Sequence, residues 1–345
     1  MLADTAPYDS FLLVSFGGPE GPDDVMPFLE NVLRGKNVPR QRMLEVAEHY
    51  KHFGGISPIN QQNRNLLAAI KAEFSAHGVD LPLYWGNRNW HPMFAQTLRQ
   101  MRDDGCRRTL AFFTSMFSSY SGCRQYRENL IAAREEAGPD SPHVDKLRMA
   151  FNHPGFIEPM AENLASAIAS IQGDRATPVF FTAHSIPQAM ADHCSYEKQL
   201  AEACRLVAEV ADVSDWQLVF QSRSGPPQQP WLEPDVCDAI EASDDDRRLE
   251  KIVIVPIGFV SDHIEVLFDI DEEAAQICEQ RGIRMARAQT VGTHPRFVSM
   301  IRELVQERMG GTTDRPAMGT FGSWHDVCPA DCCLYEPSRP LLASP

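Results

Sequence analysis

The sequence predicts an α/β protein of two similar domains, each built on a parallel sheet, facing one another across a cleft. Three observations lead there. Short apolar runs at 11–16, 83–85, 110–116, 179–182, 216–220 and 252–259 are bounded by turn residues and followed by longer amphipathic stretches. That is the alternation of buried strands with covering helices. The two halves open alike, Leu12-Leu13-Val14-Ser15-Phe16-Gly17-Gly18-Pro19 against Phe180-Phe181-Thr182-Ala183-His184-Ser185-Ile186-Pro187, as related units would. A chain of 345 residues also exceeds one core of ordinary size.

The break Asn152-His153-Pro154-Gly155 separates the halves. It gives an amino-terminal domain over 1–155, a carboxy-terminal domain over 156–310, and an irregular cysteine-containing tail over 311–345. Lys plus Arg at 32 against Asp plus Glu at 47, a net charge of −15, argues against a nucleic-acid partner. No apolar run approaches the roughly 20 residues of a transmembrane helix, and Met1 to Ser10 lacks a basic region followed by an apolar one. The expectation is a cytoplasmic protein, whose nine cysteines are mostly reduced thiols.

In chain order, Gly17-Gly18-Pro19-Glu20-Gly21-Pro22 follows the first strand. Its spacing fits neither a dinucleotide fingerprint nor a phosphate loop, so it reads as a tight turn open to a flat ligand, or as a plain strand-to-helix turn. Arg34, Lys36, Arg40, Arg42 and Lys51 crowd one segment of an acidic chain. They are either a solvated helix face or a receiver of ligand carboxylates. Gly54-Gly55-Ile56-Ser57-Pro58 and Asn87-Arg88-Asn89-Trp90-His91-Pro92 set polar groups beside apolar ones in loops. His184 ends an apolar run just before Ser-Ile-Pro; an imidazole at a strand end can accept protons near neutrality. Glu265, Asp269 and Glu272 are spaced to share one face of an α-helix. A charge run is most often a solvated face, but the intervening Ile264, Val266, Leu267, Phe268 and Ile270 make this helix apolar nearly all round. Buried carboxylates need a cation or a proton.

These motifs, in this order from about Phe11 to Phe297, resemble the ferrochelatases, enzymes that insert ferrous iron into a porphyrin. The resemblance rests on His184-Ser185-Ile186-Pro187, Phe259 to Glu265, Gly55 to Ile59, Trp90-His91-Pro92, Gln221-Ser222-Arg223 and Leu12 to Pro19. It implies two Rossmann-like, chelatase-type domains with a porphyrin between them. His184 and Glu265 would be the catalytic and metal-handling pair, with Asp269 and Glu272 a metal or proton path. Phe16, Arg34, Ser57, Tyr126 and His263 would line the porphyrin. Phe16 stands where other members carry tyrosine or methionine, so no protein oxygen or sulfur is expected on the product iron from that position. Some members carry a [2Fe–2S] cluster; Cys328, Cys332 and Cys333 with the earlier Cys123 supply four thiolates for one. A disordered tail and a zinc site are the alternatives. The segment Arg34 to Gly55 is most like soluble bacterial members that use coproporphyrin III, whose four carboxylates suit the basic segment. Protoporphyrin IX is the alternative substrate, and a non-catalytic porphyrin or haem carrier the alternative of another kind. A haem-pathway enzyme that receives the product is the implied partner.

Overall fold

A computed structural model of the chain describes residues 7–35, 38–226 and 228–335. The chain forms two four-stranded sheets in which every pairing is parallel. Strands β1 (Ser10–Ser15), β2 (Leu83–Asn87), β3 (Arg108–Phe113) and β4 (His143–Lys146) lie in the order β2-β1-β3-β4. Strands β5 (Val179–His184), β6 (Trp216–Gln221), β7 (Lys251–Val255) and β8 (Arg284–Arg287) repeat it as β6-β5-β7-β8. The two related halves expected from the matching openings are therefore present strand for strand.

The six apolar runs each form a strand, with shifted ends. The run at 252–259 is strand only to Val255, because Pro256 has no N–H to give the ladder. Sequence reading missed β4 and β8. Both are edge strands of four residues, His-Val-Asp-Lys and Arg-Met-Ala-Arg, without a buried residue between them. Charged side chains guard an exposed edge and erase the apolar signature.

Helices α1 (Val25–Val32), α2 (Arg40–His52), α3 (Ile59–Ala76), α4 (Phe94–Asp103) and α5 (Gln125–Ala137) accompany the first sheet. Helices α6 (Pro154–Ser170), α7 (Gln188–Ala191), α8 (Tyr196–Val210), α9 (Val236–Arg247), α10 (Ile264–Val266), α11 (Ala275–Arg281) and α12 (Pro295–Arg308) follow. None among the described residues is long and apolar enough to cross a membrane. The break at 152–155 is a helix start: His153 Nδ1 accepts from the Gly155 N–H at 2.9 Å, with Pro154 in the first turn.

One apolar core runs through both halves, from Phe11, Phe74 and Phe112 to Phe156, Phe181 and Phe297. Helix α12 is its clasp. Phe297 meets Phe112 of β3 at 5.9 Å and Phe156 of α6 at 6.3 Å, and Arg302 pairs with Glu73 of α3 at 2.8 Å. A Cβ on Gly155 would lie 2.7 Å from that of Met300, so only glycine lets α6 and α12 approach this closely. Beyond α12 the described tail has neither helix nor strand. It is pinned where Asn152 donates to the carbonyls of Met318 and Gly322, both at 3.0 Å.

Arg148 and Glu307 form a two-pronged pair at 2.7 and 2.9 Å, with side chains only 1% and 5% exposed. Removing one partner strands a buried charge. Glu307→Ala is therefore expected to lower stability by about 3–5 kcal/mol in urea unfolding. Arg148→Met combined with Glu307→Leu is expected to recover most of that loss.

Candidate active site and thiol cluster

In each half the strand order reverses beside the central strand, β1 in the first and β5 in the second. Such reversals open a crevice beyond the strand carboxyl ends. His184 is the last residue of β5, and the chain leaving β7 through Pro256 to His263 delivers Glu265. The two meet, with His184 Nε2 3.6 Å from Glu265 Oε2 and both side chains partly open to solvent. His184 Nδ1 lies 2.5 Å from the Ser185 carbonyl, which can only accept. Nδ1 therefore donates to that carbonyl, which leaves Nε2 facing Glu265 and the crevice. Tyr196 fixes the same turn by donating to the His184 carbonyl at 3.0 Å.

His263 stands 3.9 Å from the same Glu265 oxygen, packed edge-on against Phe259. Burial holds it below the usual histidine range, against the upward pull of Glu265. Asp269 accepts from Gln221 at 3.2 Å and from the Ser222 hydroxyl. Its carboxyl is nonetheless pushed up to about 7, first by burial and then by the charges of Glu265 and Glu273.

The acidic segment departs from the expected α-helix. After the single turn of α10 the chain widens into a π-helix over Leu267–Ala274, whose i→i+5 hydrogen bonds place more than four residues in each turn. Residues four apart then stay in line, and the row is Glu265, Asp269 and Glu273. Glu272 turns aside and pairs with His52 of α2 at 2.6 Å. Glu273 is raised by burial, then by Asp235 and Glu272. Sequence reading missed Glu273 because it assumed the α-helical period.

Helix α2 lies against this segment. His49 stacks on Phe268 at 3.8 Å, and the Tyr50 hydroxyl is pushed up by burial and then by Glu265. From Tyr50 an aromatic series runs through Phe28 (5.7 Å) to Phe16 (6.3 Å). Phe16, one residue past β1, is thereby joined to the neighbourhood of Glu265. Arg88, just past β2, lies 5.9 Å over the Phe16 ring and 5.3 Å over that of Tyr126. No carboxylate pairs with Arg88 among the described residues, and burial lowers its pKa. Tyr126 is itself buried, its hydroxyl pushed up to about 12.

Ser57 is buried and donates its N–H to the Pro19 carbonyl at 2.9 Å. A Cβ on Gly18 would come within 2.7 Å of Ser57 Cβ. The glycine turn is thus filled by protein, including Asn60, which both accepts from Gly18 N–H at 3.3 Å and donates to its carbonyl at 3.1 Å. Arg34 is exposed in the turn after α1. Within the basic segment Arg42 is tied to Glu45 at 3.0 Å and Lys51 to Glu48 at 2.6 Å, while Lys36 lies outside the described residues.

The four cysteines singled out in the sequence converge on one another. Cys123 sits buried in the wide turn Tyr120–Arg124 before α5. The neighbouring Cys123 thiol, aided by Lys146, draws Cys328 down to about 7, while Cys328 and burial push Cys123 up. Cys332 and Cys333 place their Sγ atoms 3.5 Å apart. Arg124 straps the tail down by donating to the carbonyls of Ala330 (2.8 Å) and Cys332 (2.9 Å).

The chain is similar to known proteins over nearly its whole length. The ferrochelatase family model matches residues 8–309. A protein of Rhodopirellula baltica named ferrochelatase is 69% identical, covering 99% of this chain and 98% of its own. A coproporphyrin III ferrochelatase of Streptomyces coelicolor is 48% identical over 99% and 97%. Among solved structures, SirB from Bacillus subtilis with Fe3+ superposes with a TM-score of 0.54 at 11% identity, covering 88% of this chain and 98% of that one. That likeness concerns the fold alone. The match over nearly the whole chain makes this protein a member of the ferrochelatase family and a metal-chelating lyase.

Proposed function

We propose that the enzyme inserts Fe2+ into coproporphyrin III, yielding Fe-coproporphyrin III, with His184 as proton acceptor and Glu265 as its metal-handling partner. The 3.6 Å approach of His184 Nε2 to the Glu265 carboxylate at a strand-end crevice carries this reading. The reaction exchanges two pyrrole N–H protons for one divalent cation, so charge is conserved while four nitrogen-to-iron bonds form. A neutral imidazole takes protons without repelling the metal, and a carboxylate offsets the charge that arrives. Asp269, held near neutrality, relays protons away from Glu265. Glu273 continues the line, and Glu272 with His52 marks the outer end of the segment.

The choice of coproporphyrin is supported by relatives of that name at 47–48% identity over nearly the full chain. Arg88, without a carboxylate partner among the described residues and beside Phe16 and Tyr126, suits a propionate of either porphyrin, with Arg34, Ser57 and His263 as further contacts. Phe16 offers a packing wall and no ligand atom. The unpaired cysteines fit a reducing compartment, read here as the cytoplasm, and a haem-pathway enzyme takes the product. Residues 1–155 and 156–310 then act as the two jaws.

Cys123, Cys328, Cys332 and Cys333 are suited to hold a [2Fe–2S] cluster: they converge, the Cys328 thiolate is favoured, and Lys146 offsets its charge. Such a cluster supplies one-electron redox chemistry and a covalent tie for the tail.

Anaerobic metallation with Fe2+ is expected to give a higher kcat/KM for coproporphyrin III than for protoporphyrin IX; the reverse order would make protoporphyrin the substrate. His184→Ala should cost about 10²–10⁴-fold in kcat. Tight porphyrin binding without any metallation in the wild type would instead identify a carrier.

Asp269 yields a test by pH. Its folded pKa is raised to about 7, so the folded state binds the extra proton between the ordinary carboxylate range and that value. Stability from this group is complete below about pH 4 and lost as pH rises through about 7. The Tm of Asp269→Asn relative to wild type should therefore climb between those limits and level off above them.

Protein purified anaerobically is expected to contain iron and acid-labile sulfide in equal amounts, with both falling in Cys123→Ser. Full cluster content in that variant would exclude Cys123 as a ligand.

A further inference from the structure

The tail holds one more metal-binding side chain than four thiolates require. A ring nitrogen of His325, Sγ of Cys328 and Sγ of Cys332 all lie within 4.8 Å of one another. Around a tetrahedral metal, with bonds of about 2.0–2.3 Å, ligand atoms stand about 3.3–3.8 Å apart. The three donors therefore need only a small contraction to share one ion. Cys123, buried beside them, is near enough to Cys328 for the two thiols to perturb one another. Cys333 stands outside the His325–Cys328–Cys332 group, 3.5 Å from Cys332 and on a backbone held at φ +55°.

His325 is exposed, yet its backbone is not loose. Trp324 packs on Phe151 at 5.8 Å, and its carbonyl accepts from Arg315 at 2.8 Å. Arg315 also pairs with Asp326 at 3.1 Å. Anchors on both sides of the histidine hold it facing the thiols.

We propose that His325 is a metal ligand of the tail centre, completing with Cys123, Cys328 and Cys332 a three-thiolate, one-imidazole donor set in which Cys333 is the spare thiol. This rests on the reading that the tail binds a metal centre. Such a set suits a thiophilic ion such as Zn2+. On an iron–sulfur cluster, exchanging a thiolate for an imidazole raises the reduction potential.

The first test uses the full-length protein stripped of metal and titrated anaerobically with Co2+. Thiolate-to-cobalt charge transfer reports the tail alone, because the His184 and Glu265 site has no sulfur. Three-thiolate intensity is expected in the wild type and in Cys333→Ser. His325→Ala should bind Co2+ about 10-fold or more weakly with a shifted d–d envelope, and His325→Cys should show four-thiolate intensity. Since His325 is exposed, the metal-free Tm of its variants should match the wild type. A cobalt spectrum and affinity unchanged in His325→Ala, or lost in Cys333→Ser, would overturn the proposal.

The iron-loaded protein separates the two readings. Pulsed electron paramagnetic resonance of the reduced centre should show a directly bonded nitrogen that His325→Ala removes. A cluster without that nitrogen leaves four cysteines as its ligands and defeats the role of His325. Histidine-dependent cobalt binding in a protein that never holds iron and sulfide defeats the cluster and retains His325.

Discussion

Two parallel sheets with the same strand order must each open a crevice beside their central strand, and everything at the active site follows from that constraint. The second crevice receives His184 directly from β5 and Glu265 from the segment after β7. The first receives Phe16 from β1, Arg88 from β2 and, through α5, Tyr126. The crevices are held in register because the sheets share one core, clasped by α12 against α3 and α6. A break in that clasp would move His184 and Glu265 in one half relative to Phe16 and Arg88 in the other. The buried Arg148–Glu307 pair, with Glu307 on α12, strengthens that clasp.

The π-helix sets the carboxylates of this segment in a row. In an α-helix, carboxylates at 265, 269 and 273 would drift around the axis, since residues four apart overshoot a 3.6-residue turn. The wider turn keeps them aligned, and their mutual repulsion with burial raises Asp269 to about 7. A π-turn is disfavoured in itself. Here it is supported from both flanks, by Gln221 and Ser222 holding Asp269 and by Arg287, which bridges Asp271 at 2.7 Å and Asp262 at 3.0 Å. The same Arg287 thus secures the chain on either side of Glu265.

Much of this was legible in sequence because burial on both faces leaves the inner strands β1, β3, β5 and β7 few polar positions, while the edge strands β2 and β6 showed shorter or interrupted apolar runs. The edge strands β4 and β8 were hidden by the charges that protect them. His184 and Glu265 were legible because each stands at the end of such a run. Glu272 was chosen over Glu273 because the pattern was read at the α-helical period. No propensity rule would have announced the wider turn, which depends on tertiary partners. Arg88 was visible only as a loop cation; its isolation from carboxylates is a property of the fold. His325 went unremarked because the distance between an imidazole and two thiols three and seven positions on depends on how an irregular tail folds back.

Insertion of Fe2+ into a porphyrin moves protons and a cation but no net electrons, so a tail centre has no necessary redox part in it. Its location argues for another role. Cys123 lies three residues before Tyr126, in the turn that begins α5, and Arg124 of that turn holds the tail by two carbonyls. Nearby, Gln199 of α8 accepts from the Ser118 N–H at 2.7 Å, tying the second half to the same stretch. A metal bridging Cys123 to the tail would stiffen the turn on which Tyr126, and through it Arg88, is mounted. A tail without helix or strand has no backbone ladder of its own to hold it there. Metal–ligand bonds would supply the missing constraint, as they do in small domains with too little core, beside the turn that carries Tyr126.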